Sequence, residues 1–142
     1  MMAVKTAVSE WESTRDLGDA KFLRASAEGS NARTVQLQLY DREGREMQKR
    51  AWCMAYLSSA SDGSALEAVS ATLTLAAADT GVGIVGLLSA ANSAGHSVLF
   101  LVGDSTGKVN FKITQTSGAD TFYVVVCLPN GDIYVTPAIT FA

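Results

Sequence analysis

With 142 residues the chain has the size of one domain, able to bury about two-thirds of its unfolded surface without a metal or disulfide staple. A formal net charge of −3 and a pI near 5.0 argue against a protein built to neutralise phosphates, so no nucleic-acid partner is expected. Residues 1–50 hold 17 of the 25 charged side chains, and residues 51–142 hold only Lys108, Lys112 and six acids. A body so poor in charge points to assembly, because a free monomer keeps both signs of charge on its surface.

Residues 1–31 read as an N-terminal arm preceding a β-domain over 32–142. Val4, Val8 and Trp11 fall at helical spacing with Gly18 as a stop, and residues 19–28 form a second short helix or lie extended. Trp11, Phe22 and Leu23 stand among mixed charges that include Arg15 and Arg24. Rings supply burial and charges supply register at a specific interface, so these five residues are the candidate partner-binding set. The alternative is an arm that straps its own domain and caps an edge strand. The first residues contain no apolar core of a secretory signal.

The first strand is expected over 34–40, with Val35, Leu37 and Leu39 on one face and Gln36, Gln38 and Tyr40 on the other. A turn over 41–46, with Gly44 at positive φ, joins it to a return strand over 50–57 as a hairpin. That strand alternates Trp52, Met54 and Tyr56 against Ala51, Cys53 and Ala55. Residues 58–64 are loop by composition. Ser64-Ala-Leu-Glu67 matches a capping box, yet Ala71, Leu73 and Leu75 alternate with Thr72 and Thr74, so a strand over 71–75 is preferred to a helix. Further strands are expected over 82–88 and 97–102.

Three consecutive strands over 108–116, 121–128 and 133–141 form a meander around which the rest is arranged. Asn130-Gly131 is read as a two-residue type I′ turn, which needs φ > 0 at both central positions. The middle strand carries no charge on either face and is expected to be buried on both. About eight short strands with glycine at the turns give an all-β antiparallel sandwich or jelly-roll-like domain. The uncharged run 80–103 is long enough to span a bilayer, but Asn92-Ser-Ala-Gly-His96-Ser97 would stand at the midplane, and two strands around a turn explain it better than a membrane span.

No residue pattern names a reaction, and no enzyme activity or cofactor is expected. Gly81-Val-Gly-Ile-Val-Gly86 fits G-x-G-x-x-G but opens a strand-like run rather than a helix. Gly103-Asp-Ser-Thr-Gly107-Lys108 is one residue short of a phosphate loop, and Val109 replaces its metal-binding hydroxyl. His96 is the single histidine, and Asp62, Asp79, Asp104, Asp120 and Asp132 all fall in turns where bonding their own backbone explains them, so no metal site is expected. Cys53 and Cys127 each lie inside a strand and read as buried thiols, a disulfide requiring neighbouring strands and an oxidising compartment.

Several segments together resemble small virion structural proteins of tailed bacteriophages: Val35-Gln-Leu-Gln-Leu-Tyr-Asp-Arg-Glu-Gly44, Ala51-Trp-Cys-Met-Ala-Tyr-Leu-Ser58, Ile113-Thr-Gln-Thr-Ser-Gly-Ala-Asp-Thr-Phe-Tyr123, Leu128-Pro-Asn-Gly-Asp132 and Ala138-Ile-Thr-Phe-Ala142. The resemblance covers 34–58 and 107–142 and rests on strand-and-turn segments. It implies a capsid decoration, cement or head-fibre component made in the host cytoplasm and placed on the capsid exterior. Its partners would be the major capsid protein and itself, as dimer or trimer. The alternative is a tail- or fibre-associated, adhesin-like domain that binds host surface polysaccharide, which aromatic rings clustered on an open sheet face would favour.

Overall fold

The computed structural model describes residues 16–48, 51–67, 70–75, 97–101, 107–116 and 118–142. Among these residues the chain forms nine strands and no helix: β1 (Leu17–Ala25), β2 (Ala32–Asp41), β3 (Trp52–Ser58), β4 (Ala71–Leu75), β5 (Ser97–Leu101), β6 (Lys108–Gln115), β7 (Asp120–Cys127), β8 (Ile133–Val135) and β9 (Ile139–Phe141). The first sheet runs β1-β2-β6-β4, and the second runs β5-β3-β7-β8 with β9 also on β7. All pairings are antiparallel, and the two sheets form the expected sandwich.

The alternation read from the sequence holds in β2, β3, β4, β6 and β7. Val35, Leu37 and Leu39 of β2, Val109, Phe111 and Ile113 of β6 and Leu73 of β4 point inward and are fully buried. They meet Cys53, Ala55 and Leu57 of β3 and Phe122, Val124, Val126 and Leu128 from the second sheet. Phe122 and Phe141 pack edge to face, with centroids 5.8 Å apart at 71°. The period of two dictates this, since every second side chain must leave water together.

Strand partners differ from the sequential reading. β2 and β3 do not form a hairpin. The turn after β2 begins one, with Met47 N donating to the Leu39 carbonyl at 2.9 Å, and the chain then crosses to the other sheet. β6 and β7 likewise belong to different sheets, so the expected meander is broken after Gln115. Residues 133–141 form two short strands instead of one. Between them, Thr136 exchanges both bonds with Val124, its Oγ1 accepting from Val124 N at 3.0 Å, and Pro137 follows with no N–H to continue the ladder. The register on β7 therefore slips by one residue between β8 and β9.

The Asn130-Gly131 turn is real but of another type. Gly131 N donates to the Leu128 carbonyl, Leu128 N donates to the Asp132 carbonyl, and only Gly131 has positive φ, at 94°. This is a type I turn over Pro129 and Asn130 followed by a glycine bulge, because Pro129 presets the negative φ that the first central position of a type I turn needs and so moves the turn one residue earlier than Asn130-Gly131. The same construction closes Asp41–Arg45, with Gly44 at φ 83° as expected. The type I′ turn lies elsewhere, at Ser30 (φ 52°) and Asn31 (φ 59°), flanked by reciprocal 3.0 Å bonds between Gly29 and Ala32.

Of the segment read as an arm, Leu17–Ala25 is a strand paired along β2, so the boundary drawn after residue 31 runs through the β1–β2 turn. Its start, and the helical spacing of Val4, Val8 and Trp11, lie outside the described residues. The capping box at Ser64–Glu67 opens no helix. Glu67 N donates to the Leu57 carbonyl and Ser59 N to the Ala65 carbonyl, extending the edge of β3, while the Glu67 carboxylate accepts from Ser70 N at 2.6 Å. β4 forms over Ala71–Leu75 as preferred. The strand expected over 82–88 lies outside the described residues, whereas that over 97–102 is present as β5. Among the described residues no helix is long and apolar enough to cross a membrane.

Candidate functional site

The outer faces of the two sheets are chemically unlike, and each is a consequence of register. On the first sheet, Lys21, Gln38 and Lys108 stand side by side across β1, β2 and β6. Arg24, Gln36 and Asn110 form the next outward row, and Lys112 lies between Thr34 and Thr74 on the row after. The Gln36 amide donates to Asn110 Oδ1 at 3.0 Å, and Lys21 Nζ sits 4.9 Å from the centre of the Tyr40 ring. Asn110 is 2% exposed and its Nδ2 has no hydrogen-bond partner. This face is polar and carries four cations and one acid, Asp19, which stands opposite Tyr40.

The candidate set of the N-terminal segment contributes to that face unequally. Phe22 turns inward and packs on the core, with its N–H donating to the Tyr134 hydroxyl at 2.8 Å, so it is a core residue of the edge strand rather than a free anchor. The register slips between Phe22 and Arg24. Leu23 is the extra residue of this bulge, which leaves it 42% exposed and keeps Arg24 on the solvent side, where strict alternation would have turned it into the core. Trp11 and Arg15 lie outside the described residues.

On the second sheet the outward positions of β3, β7 and β8 are Met54, Tyr56, Ser58, Tyr123, Val125, Cys127, Ile133 and Val135, and none is charged. Met54 pairs with Cys127 and Cys127 with Ile133, while Leu99 of β5 holds the register position opposite Met54. Met54 is 41% exposed and Ile133 52% exposed, so an apolar row crosses this sheet open to water. Val125, in the neighbouring row, is covered by the 59–66 loop. A Cβ on Gly63 would stand 3.1 Å from Val125 Cγ2, and the Tyr56 hydroxyl donates to the Gly63 carbonyl at 2.7 Å. The middle strand is thus buried on its core face and only locally on the other.

The two thiols occupy opposite faces of the second sheet, which is why neighbouring strands do not make them a disulfide. Both are free, and Cys53 points inward and donates to the Cys127 carbonyl at 3.1 Å. Burial pushes the Cys53 thiol up to about 12, and burial also raises Cys127, which is half-exposed. Among the described residues neither lies beside a cation that would activate a thiolate.

A cleft of about 790 Å³ beside the β2 turn is lined by Asp16, Asp41, Glu43, Arg45, Glu46, Met47 and Gln48. Its central acid is committed to the turn: the Asp41 carboxylate accepts from Glu43 N, Arg45 N and Arg45 Nε at 2.9–3.0 Å. Those bonds, the Arg45 backbone N–H first, hold Asp41 below the usual carboxylate range. Asp62 and Asp120 accept from Ser64 N and Thr121 N, the turn role expected of them. Among the described residues no group of three or more histidine, cysteine or acidic side chains could hold a metal ion. His96 and both glycine motifs, except Gly107 and Lys108, lie outside the described residues.

No protein-family model and no curated protein matches the chain. Among solved structures it is similar to the archaellum periplasmic stator protein FlaG from Sulfolobus acidocaldarius, at 12% identity and a TM-score of 0.36, over 87% of this chain and 98% of that one.

Three of the four tyrosines are engaged individually: Tyr40 lies under Lys21, Tyr56 is bonded to Gly63, and Tyr134 faces the core, while Tyr123 stands on the outer face of the second sheet opposite Ser58. The apolar row of Met54, Cys127 and Ile133 escaped sequence reasoning. Its only local signal was the absence of charge along each strand, because the pairing of β3 with β7 joins residues 73 positions apart.

Proposed function

We propose that this protein is a non-enzymatic virion structural protein that binds the exterior of a phage capsid lattice, self-associates and stiffens the lattice. The observation that supports the reading best is the division of labour between the faces, one basic and polar, the other uncharged and apolar. A sandwich of that kind contacts two partners by different physics: charge and hydrogen bonds give register on one side, and apolar burial gives adhesion on the other. The resemblance of the strand-and-turn segments to phage head proteins supplies the identity of the first partner, the major capsid protein. Residues 1–15, with Trp11 and Arg15, together with Leu23 and Arg24 on the edge of β1, make the attachment.

The test uses heads and tails separated from purified particles. The protein should be found by mass spectrometry in the head fraction, and the recombinant chain should co-sediment with undecorated heads and raise their disruption temperature. A chain lacking residues 1–15 should fold and fail to bind. Recovery with tails instead of heads, or head binding unchanged by the truncation, refutes the reading of partner or of attachment respectively.

A further inference from the structure

We infer that the outer face of the β5-β3-β7-β8 sheet is a self-association surface, occupied by the same face of a second copy related by a two-fold axis near Cys127. The inference deepens the self-association part of the proposal above and does not depend on the capsid. Met54, Cys127 and Ile133 form a continuous outward row over three paired strands, Leu99 continues its register on the fourth, and no described outward position of β3, β7 or β8 is charged.

Charge selects the occupant. A face without charge gains from burial only against another face without charge, since desolvating a partner's lysine or arginine there leaves it unpaired. The chain's other sheet presents Lys21, Arg24, Lys108 and Lys112 and cannot be that complement. The second sheet of another copy meets the requirement, and a two-fold axis lets one patch serve as both halves. Dimers formed this way turn both basic faces outward.

Size sets the strength. The open row of Met54, Cys127 and Ile133 crosses three strands about 4.8 Å apart, and with the 59–66 loop over Val125 about four residues of about 3.3 Å along each strand stay uncovered, a face of on the order of 200 Å² in projection. A standard interface buries about 800 Å² per partner, so this contact is a weak, reversible dimer rather than a permanent one. Stacked sheets lie about 10 Å apart, which brings the two Cys127 thiols within reach of a short bismaleimide.

The experiment combines sedimentation with cross-linking on the full chain. Between roughly 1 and 100 µM the wild type should shift from monomer to dimer, and Ile133→Lys and Met54→Lys should each weaken the dimer at least tenfold. Both side chains are exposed, so their circular dichroism and melting should match wild type. In a Cys53→Ala background, bismaleimide at mildly alkaline pH should give covalent dimers through Cys127 that Ile133→Lys abolishes. A wild type that stays monomeric over that range overturns both this interface and the self-association reading. An oligomer that resists both lysine substitutions, or that shows no Cys127 cross-link, overturns the interface alone. Capsid binding is scored separately by co-sedimentation.

Discussion

Replacing Phe122 by alanine tests the centre of the sandwich. Phe122 is fully buried, stands opposite Ile139 in the ladder and meets the Phe141 ring edge to face. Truncating a buried phenylalanine costs about 3–5 kcal/mol, from lost transfer energy and the cavity left behind. Within that total the ring pair accounts for about 0.5–1.5 kcal/mol beyond area burial. A single domain holds roughly 5–15 kcal/mol of stability, so the variant should remain folded but lose a large share of its margin. With a urea slope of about 2 kcal/mol/M the midpoint should fall by about 1.5–2.5 M. Urea unfolding followed by far-ultraviolet circular dichroism reads this directly. A cycle with Phe141→Leu should recover a coupling of about 0.5–1.5 kcal/mol. A loss below about 1 kcal/mol, or no coupling, would refute the placement of β7 and β9 in one core.

Gly107 sits at φ 65°, and a Cβ there would approach the Met47 carbonyl oxygen and Gln38 Nε2 more closely than 3.0 Å. Gly107→Ala should therefore destabilise clearly more than Gly44→Ala, whose site is open and where only the left-handed backbone costs, about 1 kcal/mol; equal losses in parallel melts would contradict the close approach. In the native protein a thiol reagent should modify Cys127 alone, with Cys53 reacting only on unfolding. Because burial moves the Cys53 thiol from an ordinary 9.0 to about 12, the unfolded state loses that proton first as pH rises. Stability should then fall between those values in wild type more steeply than in Cys53→Ala, and identical slopes would show that Cys53 is not desolvated. Asp41 gives the opposite sign. Its lowered pKa contributes stability above the unfolded value of 3.8 that is lost as pH falls through the folded one, so Asp41→Asn should flatten the acid limb. Removing residues 1–31 deletes β1 with its buried Leu17 and Ala20, and should unfold the chain where removing 1–15 does not.

What the sequence determined by itself is everything with a short period. Alternation placed β2, β3, β4, β6 and β7 within a few residues of their observed ends and named their inward faces, because backbone pleat sends neighbouring side chains to opposite sides whatever the partner strand is. Glycine with positive φ at residues 44 and 131 was legible for the same local reason. Partner choice was not. Met47 leaves the hairpin that its turn begins, and β6 and β7 part company, because two sheets must each be completed to enclose one core and that requirement joins distant residues. The bulge in β1 was equally invisible. The extra Leu23 arises from pairing that no window of the sequence contains, whereas the break at Thr136 had a local signal in Pro137, whose missing N–H ends the ladder. The candidate surface follows the same division. That residues 51–142 lack charge could be read at once, but the row of Met54, Cys127 and Ile133 exists only where the register of β3, β7 and β8 brings three separate strands together.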